Sequence, residues 1–412
     1  MGTPLKTTPL NKWHRAAGAN MADFGGFDMP LWYETGVKDE HLAVLKSAGI
    51  FDTSHMACIN VNGQGAFDLI NYCFTRDIAT LNQGRCAYGA FLNTKGQCID
   101  DAIVYKFNDT FFMICVNAGM GGAIAQHLEL NKKGLAVAIN DLSDKIAKMD
   151  IQGINSAKIL SKLIQTPDTV FNQMPYFSFK GNFDESEVKL LDSTPVLLSR
   201  SGYTGEFGFE IFLNPDAIVK LWKDILSAGK EYGIKPCGLG SRDSLRAGAC
   251  LPLSHQDIGG WKFLNHPWDF ALPYIKNKSS FSKDFLGADA LLSPSKSDSF
   301  TYPFIGDSLR KVAIGDKTSV VDDTDDVIGK VLTCNTDMGI SWHEGKIVSI
   351  CSKNLPENLK IKGISCGFVM VTKKLELGTK LTLKEGKREI SATIVTDIRP
   401  DRTARKKLYN FI

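Results

Sequence analysis

One stretch constrains this chain more than any other: GQCIDDAIVYKFNDTFFMICVNAG, residues 96–119. The segments from Cys98 and from Phe111 to Val116 are apolar and flank a Phe-Asn-Asp-Thr turn, so they read as a buried β-hairpin. Yet Asp100 and Asp101 stand side by side inside the first strand. Successive strand side chains point to opposite faces, which groups Asp101 with Ile99, Ile103 and Tyr105, and Asp100 with Cys98, Ala102 and Val104. At most one of the two need face solvent. A carboxylate held against apolar neighbours is costly without a partner, and such a group is a candidate ligand contact. The alternative is a strand end where both charges reach water.

With 412 residues the chain exceeds one ordinary core and suggests about two to four domains. A 43% hydrophobic and 23% charged composition is that of a globular protein, and scattered Lys and Arg at a net charge of +3 leave no nucleic-acid footprint. Ten cysteines without a C-x-x-C spacing, most in apolar runs, read as buried free thiols of a reducing compartment. His55, His255, His266 and His343 have no metal-ligand spacing, so no metal site is expected. The N-terminus has no signal-peptide character and no run approaches the roughly 18 apolar residues of a membrane span. The expectation is a cytoplasmic protein with no membrane role, or one of the mitochondrial matrix if a presequence has been removed.

Helical and strand runs intermix without regular βαβ alternation, which indicates an α+β fold. A helix is expected from about Lys38 to Ser47 and another over GAFDLINYCF; KIAKMDIQG reads as a strand. Polar segments flanking a short helix make residues 276–302 the candidate linker. Beyond it, short strands with Gly or Asp turns predict a small C-terminal β-barrel-like domain.

Two further motifs carry candidate chemistry. In SGYTGEFGFEI, Glu210 sits in an aromatic strand, where a carboxylate can offer two parallel hydrogen bonds to a flat amidine-like edge such as a pterin; a strand-edge glutamate paired to a lysine is the alternative. In CGLGSRDSLRAGACLPL, Arg242 and Arg246 lie four apart on one helical face, placed to receive a carboxylate or to pair with Asp243 and neighbouring acids. Neither a dinucleotide fingerprint, a phosphate loop nor a Gly-x-Ser-x-Gly elbow is present.

Six pieces in order resemble the T-protein, or aminomethyltransferase, family of the glycine cleavage system: TPLNKWHRAAGANMADFGGFDMPLWY, EHLAVLKSAGIFDTSHM, CIDDAIVYK with ICVNAG, SGYTGEFGFEI, GLGSRDSLR and KDFLGADAL. The resemblance implies three domains in a cloverleaf around a folate channel: residues 1–50 with 146–280, residues 51–145, and residues 285–412. It implies a transferase that moves a one-carbon unit to tetrahydrofolate, with lipoylated H-protein as partner, releasing ammonia and forming methylene-tetrahydrofolate. Asp101 falls on the family's key carboxylate, with Asp100 as its supporting or exposed partner. Glu210 matches the pterin-edge acid, Tyr203 and Arg242 match cofactor-binding positions, and Met56, Tyr88 and Asn117 match residues lining the same cavity.

The chain also departs from the family pattern. Ala247-Gly248-Ala249-Cys250 stands where Leu-Glu-Ala-Gly is usual, Ser254-His255-Gln256-Asp257 replaces Tyr-Gly-x-Asp, and GGWKFLNHPWDFALPY follows as if inserted. Phe27 replaces a tryptophan, and LTCNTDM stands near the place of Thr-Ser-Gly-x-x-Ser-Pro. These changes bear on the donor side. They leave open a tetrahydrofolate-dependent demethylase of a small methylated substrate, of the dimethylsulfoniopropionate or methylamine type, with His255, Trp261, His266 and Trp268 reshaping the donor pocket around a cation. A folate-binding regulatory protein without turnover is the third reading.

Overall fold

A computed structural model describes residues 4–293, 298–353 and 355–412. The chain adopts the α+β class. Its strands form a six-stranded sheet, a five-stranded sheet, a closed six-stranded barrel and two hairpins.

The six-stranded sheet gathers distant segments: Ala147–Gln152 and Gly208–Leu213 pair antiparallel at its centre, Gly49–Asp52 flanks the first and Leu197–Ser199 the second. The helix Pro215–Ala228 covers one face. Asn214 accepts the Asp216 N–H at its start, Pro215 occupies the first turn, and Ile218, Leu221, Trp222 and Ile225 recur at helical spacing and are all buried. Each such side chain removed from water contributes roughly 1.5–3 kcal/mol. Residue 50, where a domain boundary is expected, lies within the strand Gly49–Asp52.

The five-stranded sheet is formed by Arg85–Leu92, Cys98–Asn108, Phe111–Val116, Ala57–Asn62 and Ala138–Asp141, in that spatial order. The opening hairpin lies inside it. Cys98–Asn108 pairs with Phe111–Val116 only as far as Ala102 opposite Val116, whereas on its other side the ladder runs on through Asp101 and Asp100. The two aspartates therefore occupy the place where one neighbouring strand has ended and backbone partners are missing on that side.

The barrel closes through Phe300–Gly306, Ile364–Val371, Val327–Asp337, Gly315–Val321, Lys380–Glu385 and Arg388–Ile394. Its strand Val327–Asp337 lies against the arginine-bearing helix Leu239–Gly248: Asn335 Nδ2 donates to Asp243 Oδ2 at 2.7 Å and Arg246 Nη2 donates to Thr333 Oγ1 at 3.0 Å. The chain end leaves the barrel. Arg399 pairs with Glu206 and Phe411 stacks on Phe207, so the segment after residue 398 is part of the first sheet's surroundings, not of the barrel alone. The linker expected at 276–302 also needs correction where it is described: Phe285, Ala288 and Leu291 are buried in a shared core, while 294–297 lie outside the described residues.

Candidate functional site

Asp100 and Asp101 are both buried, which removes the reading in which both charges reach water and, of the two roles left open for Asp100, excludes the exposed one. Asn117 begins where Phe111–Val116 stops. Its N–H donates to Asp100 Oδ2 at 3.0 Å, and its side-chain Nδ2 lies 2.8 Å from Asp100 Oδ1 and 2.7 Å from Asp101 Oδ1, bridging the two carboxylates. Ser254 Oγ donates to Asp100 at 2.8 Å and the Tyr88 hydroxyl donates to Asp101 Oδ2 at 2.9 Å. Burial first, and then the neighbouring Asp100 charge, push the Asp101 carboxyl up to about 6. Tyr88 is raised well above its usual value by burial and by Asp101, so it stays a donor.

Asp101 lines a cavity of about 590 Å³, within the size range of small-molecule sites. The same cavity is lined by Met56, Tyr88, Asn117, Tyr203, Glu210 and Arg242, so all seven residues singled out from the sequence come together. They arrive from different elements: the five-stranded sheet and its margins supply four, the glycine-rich turn and the strand Gly208–Leu213 supply Tyr203 and Glu210, and the helix Leu239–Gly248 supplies Arg242.

Glu210 lies on a central strand, paired on both sides, and not on a sheet edge. The lysine partner posed as an alternative is present: Lys148 Nζ sits 2.5 Å from Glu210 Oε1 and 2.6 Å from Asp150 Oδ1. Oε2 accepts from Ser201 and, at 3.5 Å, from the Tyr105 hydroxyl. A carboxylate has about four acceptor positions, so Oε1 retains capacity for a ligand N–H. Arg242 pairs with Asp150 at 2.7 Å instead of Asp243, and its guanidinium lies 4.9 Å from the centre of the Tyr203 ring. Arg246 is saturated by Asp243 and Asp257.

Burial opposes the Lys148 charge, but Asp150 and Glu210 outweigh it and hold its pKa above the ordinary value. Burial likewise opposes the Asp150 charge, and Lys148 with Arg242 outweighs it and lowers its pKa. Lys148 and Asp150 were not singled out from the sequence. Their signal was the i, i+2 placement of opposite charges in an apolar strand, which puts both on one face.

His55 also lines the cavity, and among the described residues its buried Nδ1 has no hydrogen-bond partner. Burial lowers its pKa to about 4, so it is neutral. Of the four residues considered for a donor pocket, only His255 reaches the cavity. Trp261, His266 and Trp268 instead stack on one another, with ring centres 5.2 and 6.2 Å apart, in an apolar core shared with Phe368 of the barrel. Trp268 donates to the Cys250 carbonyl at 2.8 Å, and His266 accepts from the Gly259 N–H at 3.2 Å. Their aromatic faces are used in packing, which corrects the cation-pocket expectation for these three.

The acid missing after Asp-Ser-Leu-Arg has a counterpart. A Cβ at Gly248 would lie 1.8 Å from Asp337 Oδ2, so a barrel carboxylate fills the space beside this position. Asp337 pairs there with Arg399 and, at 3.0 Å, with His41.

Residues 10–263 match the GCVT N-terminal domain family. The aminomethyltransferase of Alkaliphilus oremlandii is 34% identical over 331 residues, covering 80% of this chain and 86% of that one. The aminomethyltransferase of Caldanaerobacter subterraneus subsp. tengcongensis is 39% identical over 293 residues, 70% of this chain and 73% of its own. The crystal structure of glycine cleavage system aminomethyltransferase T from Bartonella henselae superposes with a TM-score of 0.76 at 26% identity, over 98% of this chain and 99% of that one. This chain therefore belongs to the glycine cleavage T-protein, or aminomethyltransferase, family.

Proposed function

We propose that this protein is a folate-dependent aminomethyltransferase that moves a one-carbon unit from lipoylated H-protein to tetrahydrofolate, with release of ammonia. The observation that carries this reading is that Asp101 and Glu210, from two different sheets, line one cavity of about 590 Å³. The site suits a reduced pterin: two acids stand ready for its N–H edges, the unpartnered His55 Nδ1 adds a polar atom, and Met56, Ile103 and Leu239 give apolar surface.

A bound reduced folate supplies the nitrogen that accepts the one-carbon unit. Asp101 supplies a buried carboxylate where positive charge develops, and its burial strengthens the attraction. With its pKa near 6 it can also take up or return a proton near neutral pH. Asn117 and Tyr88 fix its orientation through their hydrogen bonds. Lys148 and Arg242 hold Asp150 and Glu210 in place, and the remaining N–H groups of Arg242 are available to a ligand at the cavity wall.

The demethylase alternative draws less from this geometry, because Trp261, His266 and Trp268 are packed away from the cavity. The two chemistries separate in one assay series. Purified protein with tetrahydrofolate is expected to release ammonia from aminomethylated H-protein. Methyl transfer from dimethylsulfoniopropionate or a methylamine without that release would favour the demethylase, and folate uptake with neither activity would favour the regulatory reading.

A further inference from the structure

We propose that His255 is a positioning residue of the acid pair: seated at the cavity rim against Asp100, its imidazolium offsets that carboxylate and so keeps the adjoining Asp101 ionised. This rests on the reading of Asp101 as the working carboxylate.

The loop that carries His255 is rigidly built. Leu253 N–H donates to Asp257 Oδ2 at 2.9 Å, the N–H of Asp257 returns to the Leu253 carbonyl at 2.9 Å, and Ser254 bridges to Ile258. His255 has φ of +64°, a left-handed conformation that favours glycine. The chain thus carries a side chain at a backbone position that resists one. His255 lines the cavity, with Nε2 3.4 Å from Asp100 Oδ1, and its side chain is 54% exposed while that of Asp100 is buried.

The groups around the pair leave this task to His255. Among the described residues Asp100 otherwise receives neutral donors, Asn117 and Ser254, and the donors around Asp101, Asn117, Tyr88 and Ser254, are neutral too. Cys98 on the same strand and Tyr203 across the cavity are uncharged at neutral pH, with thiol and phenol both raised first by burial. On the helix Leu239–Gly248, Arg242 is committed to Asp150 and Arg246 to Asp243 and Asp257. Asp23, His55 and Glu210 line the cavity without an ion pair to either aspartate. Among the described residues His255 is the only basic side chain that pairs with Asp100 or Asp101. Its hydrogen-bonding contact with Asp100 raises its pKa above the ordinary 6.5, and Asp101 stands at about 6, so both groups titrate within the range of a pH profile.

The test compares wild type, His255→Gln and His255→Arg. Removing the charge raises the proton affinity of Asp101, so the acid limb of the turnover profile is expected to move up by about half to one pH unit in H255Q. In H255R, which keeps a permanent charge, it stays at or below the wild-type position. A limb that moves in neither variant, or activity lost equally at every pH, overturns the proposal. The ligand-free protein gives a second readout: the His255 ring signal in a histidine-labelled NMR titration, assigned by its absence in H255Q, should titrate above 6.5 and fall toward that value in Asp100→Asn. A His255 titration indifferent to D100N also overturns it. Since the NMR measurement needs no turnover, a protein with this coupling but no transferase activity would contradict the proposed function and leave the inference standing.

Discussion

Replacing Asp101 by Asn should make the protein more stable and far less active. The carboxyl is buried beside Asp100, and its pKa stands at about 6 against an ordinary value of 3.8. A folded-state pKa above the unfolded one means that folding favours the protonated form: the stabilisation is complete below pH ~4 and is lost as pH rises through ~6. About two units correspond to ~3 kcal/mol of penalty for the ionised group above that pH. Asn carries no charge, and the Tyr88 hydroxyl can turn to accept from its amide, so the site can accommodate it. Melting of wild type and D101N at pH 8 and pH 4.5 is therefore expected to show the variant higher at pH 8, with the gap shrinking at the lower pH. Turnover at pH 8 should fall on the order of 10²-fold or more, the usual worth of a positioned acid–base or electrostatic group. A variant that melts lower by the same margin at both pH values, or that retains full turnover, would refute the reasoning.

Three other outcomes follow from particular contacts. Lys148→Met leaves Asp150 and Glu210 buried without their shared cation and should destabilise by about 3–5 kcal/mol in urea titrations at neutral pH. Trp268→Ala should lower stability by about 3–5 kcal/mol while leaving folate affinity of the folded fraction unchanged, since the ring is in the core away from the cavity. Gly248→Glu, which restores the family's usual acid, should be poorly folded, because Asp337 already occupies that space; expression and melting measurements check this.

Much of the site was legible because its signals are local. Two adjacent aspartates in an apolar hairpin violate strand chemistry on their own, and Asn117, only sixteen residues beyond Asp101, is the group that relieves the conflict. Glu210 was visible in the same way, as an acid within an aromatic strand. What sequence could not supply were partners separated by long stretches of chain. Lys148 meets Glu210 across neighbouring strands, Arg242 chooses Asp150 over the adjacent Asp243, and Asp337 reaches from the barrel to fill the space beside Gly248. Trp261, His266 and Trp268 misled for a related reason: an aromatic cluster looks the same in sequence whether it walls a pocket or joins two sheets, and only the position of Phe368 decides it. The linker failed similarly, since its polar composition hid Phe285 and Leu291, which are buried.

The most direct measurement is calorimetric titration with tetrahydrofolate of the wild-type protein and of Glu210→Gln, with melting curves confirming that both are folded. One equivalent should bind to the wild type, and the variant should bind at least about tenfold more weakly, the loss of a charge-assisted hydrogen bond. No heat of binding to the wild type, or equal affinity in the two proteins, would contradict a shared pterin site between Asp101 and Glu210.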